Sequence, residues 1–335
     1  MSEKLPPQAP VLTTFRLEEY FPLRLQNLRP GRPLPCHLYL RVPFQGRLAL
    51  ACPQGENFPE PFASSDGHPP RWAFFPVADI SALLNYLVDG TEAHLNRPDL
   101  SHYEKLAFLY DLLLVWIQHL YASPASLSSA SLKFATALIH QAKYYLLSAP
   151  LPDHLWASLR RHDSHLYTHS VNVFFFALHY SLSQNWPEEE VRDFGLASLW
   201  HDIGMTSLPK NLTCKAEGLT ELDKQYLRHH PVAGRKILAE ISEMPTEVLT
   251  VVAQHHENFD GSGYPQGLAE KELHPWARLL RIIDTFESLT SLRPWRPPCN
   301  TAQALTLMKS TLKGKEIYDP LQLAAFSQAL PFASG

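Results

Sequence analysis

Apolar positions fall into short runs in the first third of the chain and recur at helical spacing over the rest. Between Leu17 and Leu95, the runs CHLYLRV (36–42) and GRLALAC (46–52) read as two short strands joined by a turn that includes Gly46, and PPRWAFFPV (69–77) reads as another. DISALLNYLV (79–88) then changes period and predicts a helix with Asp79 as its cap. From Ser101 onward the helical period dominates. It runs through 101–121, 126–148, 164–182, 188–199, 219–241, 245–259 and 275–292. The expected fold class is mainly α, a helical bundle preceded by a small α+β domain. The expected division is a Pro-rich, disordered N-terminus (1–16), the α+β accessory domain (17–95), a helical connector (96–125) and the helical domain (126–335).

Composition narrows the function classes. A 335-residue chain with 45% hydrophobic and 19% charged residues is an ordinary globular composition with room for about two domains. A net charge of -4 gives no general attraction to a nucleic-acid polymer or an anionic membrane, so phosphate recognition must come from a local basic cluster. The four cysteines, Cys36, Cys52, Cys214 and Cys299, are scattered without a CxxC pair, which fits free thiols in a reducing cytoplasm. The most apolar windows, 107–120 and 171–182, are shorter than a bilayer span, and the expectation is a cytoplasmic protein with no membrane segment.

Among the 17 histidines, position matters more than number. His169 lies on a predicted helix, His201 and Asp202 end another, His230 begins HPVAG, His255 and His256 are adjacent on a fourth, and Asp284 lies on a fifth. Taken singly, a histidine is more often a surface or hydrogen-bonded core residue than a ligand, and His162, His165, His179, His229 and His274 stay in that class. Taken together, five helices offering imidazoles or carboxylates are the usual way to build a metal site inside a bundle. Such a donor set, without thiolate, suits Fe, Mn, Co or Zn, and a carboxylate can bridge two ions. Two ions about 3.5 to 4 Å apart would activate water and clamp a phosphoester, so hydrolysis is the natural use.

The order H, HD, HP, HH, D resembles the HD superfamily of metal-dependent phosphohydrolases. HHENFDGSGYPQGL (255–268) narrows the resemblance to the HD-GYP family, with Gly263, Tyr264 and Pro265 as the signature. The likeness extends over about 126–325 and includes YTHSVNV (167–173), HPVAGRKIL (230–238) and SLTSLRPWR (288–296). It implies a bacterial phosphodiesterase that hydrolyses cyclic di-GMP to pGpG or GMP, with iron or manganese as the favoured ions. It further implies one metal held by His169, His201, Asp202 and Asp284 and a second held by His230, His255 and His256, with Asp202 bridging and central to catalysis. Arg293 and Arg296 match positions that meet the ligand's phosphates, and the GYP loop is implied as a contact for a diguanylate cyclase domain or another signalling partner.

Three positions depart from the family pattern. Met205 stands where relatives have a lysine implied to touch the scissile phosphate and assist the leaving oxygen; methionine supplies neither charge nor proton, a loss on the order of 10² to 10⁴ in rate. His165 replaces a glutamate that serves a third metal in some relatives, which disfavours a third ion here. Glu287 replaces an aspartate. The expected function is therefore cyclic di-GMP hydrolysis slowed by Met205, with two alternatives left open: a weak or inactive cyclic di-GMP receptor, or a hydrolase of another phosphoester.

Overall fold

The computed structural model describes residues 11–12, 16, 19–42, 47–58, 71–148, 166–209, 212, 220–293, 296–310 and 316–330. Most of the expected disordered N-terminus, the turn at Gly46, and His162, His165 and Cys214 lie outside the described residues. The chain divides into two compact units, Met1–His119 and Leu120–Gly335, and the division falls inside the helix His102–Ala122.

The N-terminal unit is built on an antiparallel sheet of β1 (Val11–Leu12), β2 (Tyr20–Arg24), β3 (Leu38–Val42), β4 (Arg47–Cys52) and β5 (Trp72–Pro76), in the order β1-β4-β3-β5-β2. The three strands legible in the sequence are β3, β4 and β5. Strand β2 carries Pro22 at its centre, a residue that a sheet accepts on an edge strand, where the missing N–H faces no neighbour. Phe21, Leu23, Leu38, Ala73 and Phe75 are buried. Helix α1 (Ile80–Leu95) buries Ile80, Leu83, Leu84 and Leu87, an i, i+3, i+4, i+7 stripe. Asp79 is not its side-chain cap: it ends a short 3-10 turn, Val77–Asp79, and makes no capping bond.

This unit also buries a charge. Asp111, on α2 (His102–Ala122), accepts from the Arg24 guanidinium, from the Arg24 backbone N–H at 3.2 Å and from Asn27 Nδ2 at 2.6 Å. The Arg24 guanidinium also lies over the rings of Trp72 and Tyr110, 5.1 and 5.5 Å from their centroids.

In the C-terminal unit the helices are α3 (Ser129–Ser148), α4 (Leu166–Ser183), α5 (Glu188–Trp200), α6 (Glu221–Leu227), α7 (His230–Ala239), α8 (Thr246–Gln254), α9 (Pro275–Thr290), α10 (Thr301–Lys309) and α11 (Pro320–Ala329). Helix α4 is buried nearly all round, from Val171 through Leu178, as the central rod of a bundle must be. Phe286 of α9 packs edge-on against Phe176 of α4 and Phe326 of α11, with ring centroids 5.4 and 5.3 Å apart.

Two expected helices differ in extent. The segment 219–241 breaks at Arg228–His229, because Pro231 lacks an N–H and its ring fits only in a first turn, so α7 restarts there. The segment 245–259 stops at Gln254, which leaves His255 and His256 just past the end of α8. Among the described residues, no helix is long and apolar enough to cross a membrane.

Candidate metal centre

Three histidines are fixed by the same local device. His201 Nδ1 lies 2.8 Å from the Ser198 carbonyl oxygen, His230 Nδ1 lies 2.7 Å from that of Leu227, and His255 Nδ1 lies 2.7 Å from that of Val252. Each acceptor sits three residues upstream at the end of a helix, where carbonyls lack an intrahelical partner. A carbonyl oxygen can only accept, so Nδ1 carries the proton and Nε2 presents a lone pair to the site. For His169 the same task falls to a carboxylate: Nδ1 donates to Glu287 Oε2.

The Nε2 atoms converge on Asp202. Its Oδ1 lies 3.1 Å from His230 Nε2 and 3.7 Å from His255 Nε2, and its Oδ2 lies 3.4 Å from His201 Nε2 and 3.8 Å from His169 Nε2. Asp284 Oδ1 is 3.0 Å from His169 Nε2, and Oδ2 is 3.9 Å from His256 Nδ1. Two sets of donor atoms result, Asp202 with His230, His255 and His256, and His169 with His201 and Asp284, each within 4.8 Å. Except for half-buried His256, all of them are buried.

The donor chemistry fits metal ions. His230 Nε2 and His255 Nε2 face each other at 3.1 Å while both Nδ1 atoms already donate to carbonyls, so two lone pairs oppose each other unless a Lewis acid stands between them. Burial pushes the His255 imidazole down to about 4, and burial with the neighbouring His255 holds His256 well below the usual histidine range, so both are neutral and ready to ligate. Burial alone would raise the Asp202 carboxyl, but the imidazoles around it, His201 first, outweigh that and hold it far below the carboxylate range. At His169 burial is likewise outweighed: Glu287 and Asp284 push the imidazole up to about 10. A metal ion at His169 would displace that proton.

Close packing brings these elements together. Gly204 follows the His-Asp pair on the 3-10 turn Ile203–Ser207, and a Cβ there would lie 2.0 Å from the His230 carbonyl oxygen. Only glycine lets this turn pack on the start of α7 and set His230 beside Asp202. Gly263 plays the same part in the GYP loop, where a Cβ would lie 2.2 Å from the Asn258 nitrogen. The Tyr264 ring stacks on His256 with centroids 4.9 Å apart, and Pro265 follows it. The buried Glu257 carboxylate accepts from the backbone N–H groups of Gln266 at 2.6 Å and Gly267 at 3.0 Å, which ties the loop to the site wall.

The two arginines expected at the phosphates have different surroundings. Arg293 Nη2 lies 3.3 Å from Glu287 Oε2 and 3.5 Å from His169 Nδ1, at the edge of the cluster. Arg296 donates to the carbonyls of Ser288 at 2.6 Å and Leu289 at 2.9 Å, at the end of α9. Met205 sits half-buried on the turn after Asp202.

The connecting role of Glu287 was not legible as a role. Its carboxylate, 1% exposed, takes four donors: His169 Nδ1, Asn172 Nδ2 at 2.7 Å, Ser291 Oγ and Arg293 Nη2. Sequence reasoning also passed over Asn172, Arg281 and Ser291. The available signal is spacing: Arg281, Asp284, Glu287 and Ser288, with Ser291 at the C-cap, form a polar stripe one helical turn apart on a helix whose other buried residues are, Thr290 apart, the apolar Ala277, Leu279, Leu280, Ile282, Ile283 and Phe286.

Comparison with known proteins agrees with this class of fold and site. Residues 155–321 match the family model described as HD domain. The chain belongs to the HD-GYP family of HD-domain proteins. It is 31% identical over 210 residues to the cyclic di-GMP phosphodiesterase PA4108 of Pseudomonas aeruginosa, covering 59% of this chain and 50% of that protein. It is 33% identical over 134 residues to the cyclic di-GMP phosphodiesterase response regulator RpfG of Xanthomonas campestris pv. campestris, covering 40% and 35%. A 3'3'-cGAMP-specific phosphodiesterase 3 of Vibrio cholerae is 31% identical over 134 residues, covering 40% and 28%. The chain thus spans half the length of the first of these relatives and about a third of the others. Bd1817, a HDG"Y"P protein from Bdellovibrio bacteriovorus, shares the fold with a TM-score of 0.66 at 16% identity, over 92% of this chain and 98% of that one.

Proposed function

We propose that this protein is a metal-dependent phosphodiesterase acting on cyclic di-GMP, and that the reaction yields pGpG or GMP. The observation that carries this reading is the convergence of seven side chains on two donor clusters, with Asp202 turning one oxygen to each. In this reading His169, His201, Asp202 and Asp284 hold one ion and His230, His255 and His256 hold the other, with Asp202 shared. Divalent ions there would lower the pKa of a water and neutralise charge on a phosphoryl group. The chain's own contribution is positional. The Nδ1 anchors aim the imidazoles, and Tyr264 and the GYP loop wall the site on the His256 side. Arg293 offers its guanidinium to a phosphate, while Arg296 holds the loop that presents it and is the second candidate contact.

The same proposal includes iron or manganese as the native ions, a cytoplasmic setting, a regulatory role for the N-terminal unit, and the GYP loop as a docking point for a diguanylate cyclase domain or another signalling partner. Substrate identity is supported by the names of the relatives, which include enzymes for cyclic di-GMP and for 3'3'-cGAMP. Met205 favours a second reading, a receptor that binds the nucleotide and turns it over slowly or not at all.

One experiment separates these readings. Protein purified anaerobically is analysed for metal and assayed against cyclic di-GMP and 3'3'-cGAMP with and without added Fe or Mn. Metal-dependent release of pGpG or GMP is expected. Tight binding without turnover at full metal content would replace the enzyme with the receptor, and turnover of 3'3'-cGAMP alone would replace the substrate.

A further inference from the structure

The polar stripe of α9 begins with an arginine for which the proposed reaction has so far had no use. Arg281 lies one helical turn before Asp284. Its Nε donates to Asn258 Oδ1 at 3.1 Å, its Nη1 donates to Thr285 Oγ1 at 3.1 Å, and its guanidinium lies 5.8 Å from the centre of the Tyr318 ring. Nη1 is 3.8 Å from Asp284 Oδ2, the oxygen that also faces His256. The side chain is 21% exposed, so the guanidinium is fixed in place yet open to a ligand. Nη2 has no hydrogen-bond acceptor among the described residues.

Two neighbouring arginines separate this one from packing residues. Arg278, one turn earlier, closes an ion pair with Asp319 of α11 at 2.8 Å. Arg296 commits both terminal nitrogens to backbone carbonyls. Arg281 keeps an uncommitted donor beside a cluster that would hold divalent cations. A fixed guanidinium next to metal ions is repelled, and Asp284 alone is too distant for a full hydrogen bond, so the arrangement favours an incoming anion. Met205, half-buried on the turn that follows Asp202, brings no charge to the site.

We propose that Arg281 is a phosphate-facing cation of this site and supplies the charge at the reacting phosphoryl group that Met205 does not. This rests on the phosphodiester reading above. The guanidinium stays protonated, transfers no proton and makes no covalent bond, so its contribution is electrostatic.

The test is a double-mutant cycle of Arg281→Met and Met205→Lys, with Arg281→Lys as the charge-conserving control. Full-length, metal-loaded proteins are assayed on cyclic di-GMP and on the activated diester bis-p-nitrophenyl phosphate, with metal content and melting temperature determined for each. Calorimetric titration with inorganic phosphate gives a readout independent of turnover. Arg281→Met is expected to lower kcat on the order of 10²-fold, with a smaller change in KM, and to weaken phosphate binding about tenfold. The loss should shrink in the Met205→Lys background, where the lysine covers the same charge, and Arg281→Lys should keep part of the activity.

Equal losses in both backgrounds would overturn the proposal, as would unchanged kcat and phosphate affinity. A fall in metal content parallel to the fall in rate would also overturn it and make Arg281 a prop for Asp284. If the wild type cleaves the activated diester but not cyclic di-GMP, the substrate reading fails while the activated diester and phosphate still decide the role of Arg281. A metal-loaded wild type inert on both diesters rejects both.

Discussion

Both units bury carboxylates, and the two cases are opposites. Around Asp111 every oxygen is met by a donor: Oδ1 by the Arg24 guanidinium, Oδ2 by the Arg24 N–H and Asn27 Nδ2. Burial pushes the Asp111 carboxyl up, and Arg24 pulls it back without cancelling the rise. Around Asp202 the neighbours are ring nitrogens, and for His201, His230 and His255 the ring proton is committed to a carbonyl on the far side. Acceptors there face acceptors. A buried charge therefore does not mark a site by itself; what marks it is a surplus of lone pairs over protons that the chain has not closed with its own donors.

The comparison breaks most sharply at Asp202. Asp202→Ala removes the oxygens that face both clusters, and we expect hydrolysis to fall by at least about 10³-fold, beyond what a single hydrogen-bond donor supplies. Metal content should fall with it, and the drop in melting temperature should be larger for the metal-loaded protein than for the metal-free chain, because bound ions stabilise the folded state by mass action. Metal analysis and thermal melts of apo and loaded protein check both halves. A variant that keeps both ions would return Asp202 to the class of Asp111.

At Asp111 the pattern should invert. Asp111→Ala leaves Arg24 buried without its anion, and breaking a buried pair from one side costs about 3 to 5 kcal/mol. Denaturant melts should show that loss in the N-terminal transition, with metal content and hydrolysis per folded molecule unchanged. An Arg24→Leu, Asp111→Leu double variant should be nearer the wild type than either single change, since replacing both partners avoids an orphaned charge. A drop in metal content in Asp111→Ala would show that the two polar clusters are not independent.

How far the sequence discloses these two clusters differs for a physical reason. The ligands of the C-terminal unit come in adjacent pairs or short motifs, HD at 201–202 and HH at 255–256, and the side-chain types alone suggest metal chemistry. The pattern also disclosed the strands at 38–42, 47–52 and 72–76. It could not disclose β2, because Pro22 argues against a strand until its edge position is known, nor the Arg24–Asp111 pair, whose partners are 87 residues apart and of common types. Gly204 shows the same limit at the site: the glycine is visible in HDIGM, but its reason, a carbonyl 2.0 Å from where a Cβ would stand, exists only once α7 has packed. Arg293 and Arg296 look alike in RPWR, and only the fold turns one toward Glu287 and the other toward the end of α9.

Glu287 sharpens the comparison, because it is closed like Asp111 yet serves the open cluster. Its Oε2 receives His169 Nδ1 and Arg293 Nη2, and its Oε1 receives Asn172 Nδ2 and Ser291 Oγ, so both oxygens face only donors. Glu287→Gln preserves size but replaces one acceptor with an N–H₂ group, which must then oppose a donor on one side or the other. Turned toward His169, it would free the ring to rotate or change tautomer, and the lone pair on Nε2 would no longer be held toward Asp284. Partners of this kind typically contribute 10- to 100-fold to metal affinity. We expect a loss of about that size at the His169 cluster, less at the His230 cluster, and only a small shift in melting temperature of the metal-free protein, which distinguishes it from Asp111→Ala. Glu287→Asp keeps the charge and should recover part of the affinity. Competition titrations with a chelator of known affinity, resolving the first ion from the second, provide the measurement. If Glu287→Gln binds both ions as tightly as the wild type, the orientation of His169 is set by the packing of α4, and Glu287 belongs with the closed structural cluster rather than with the site.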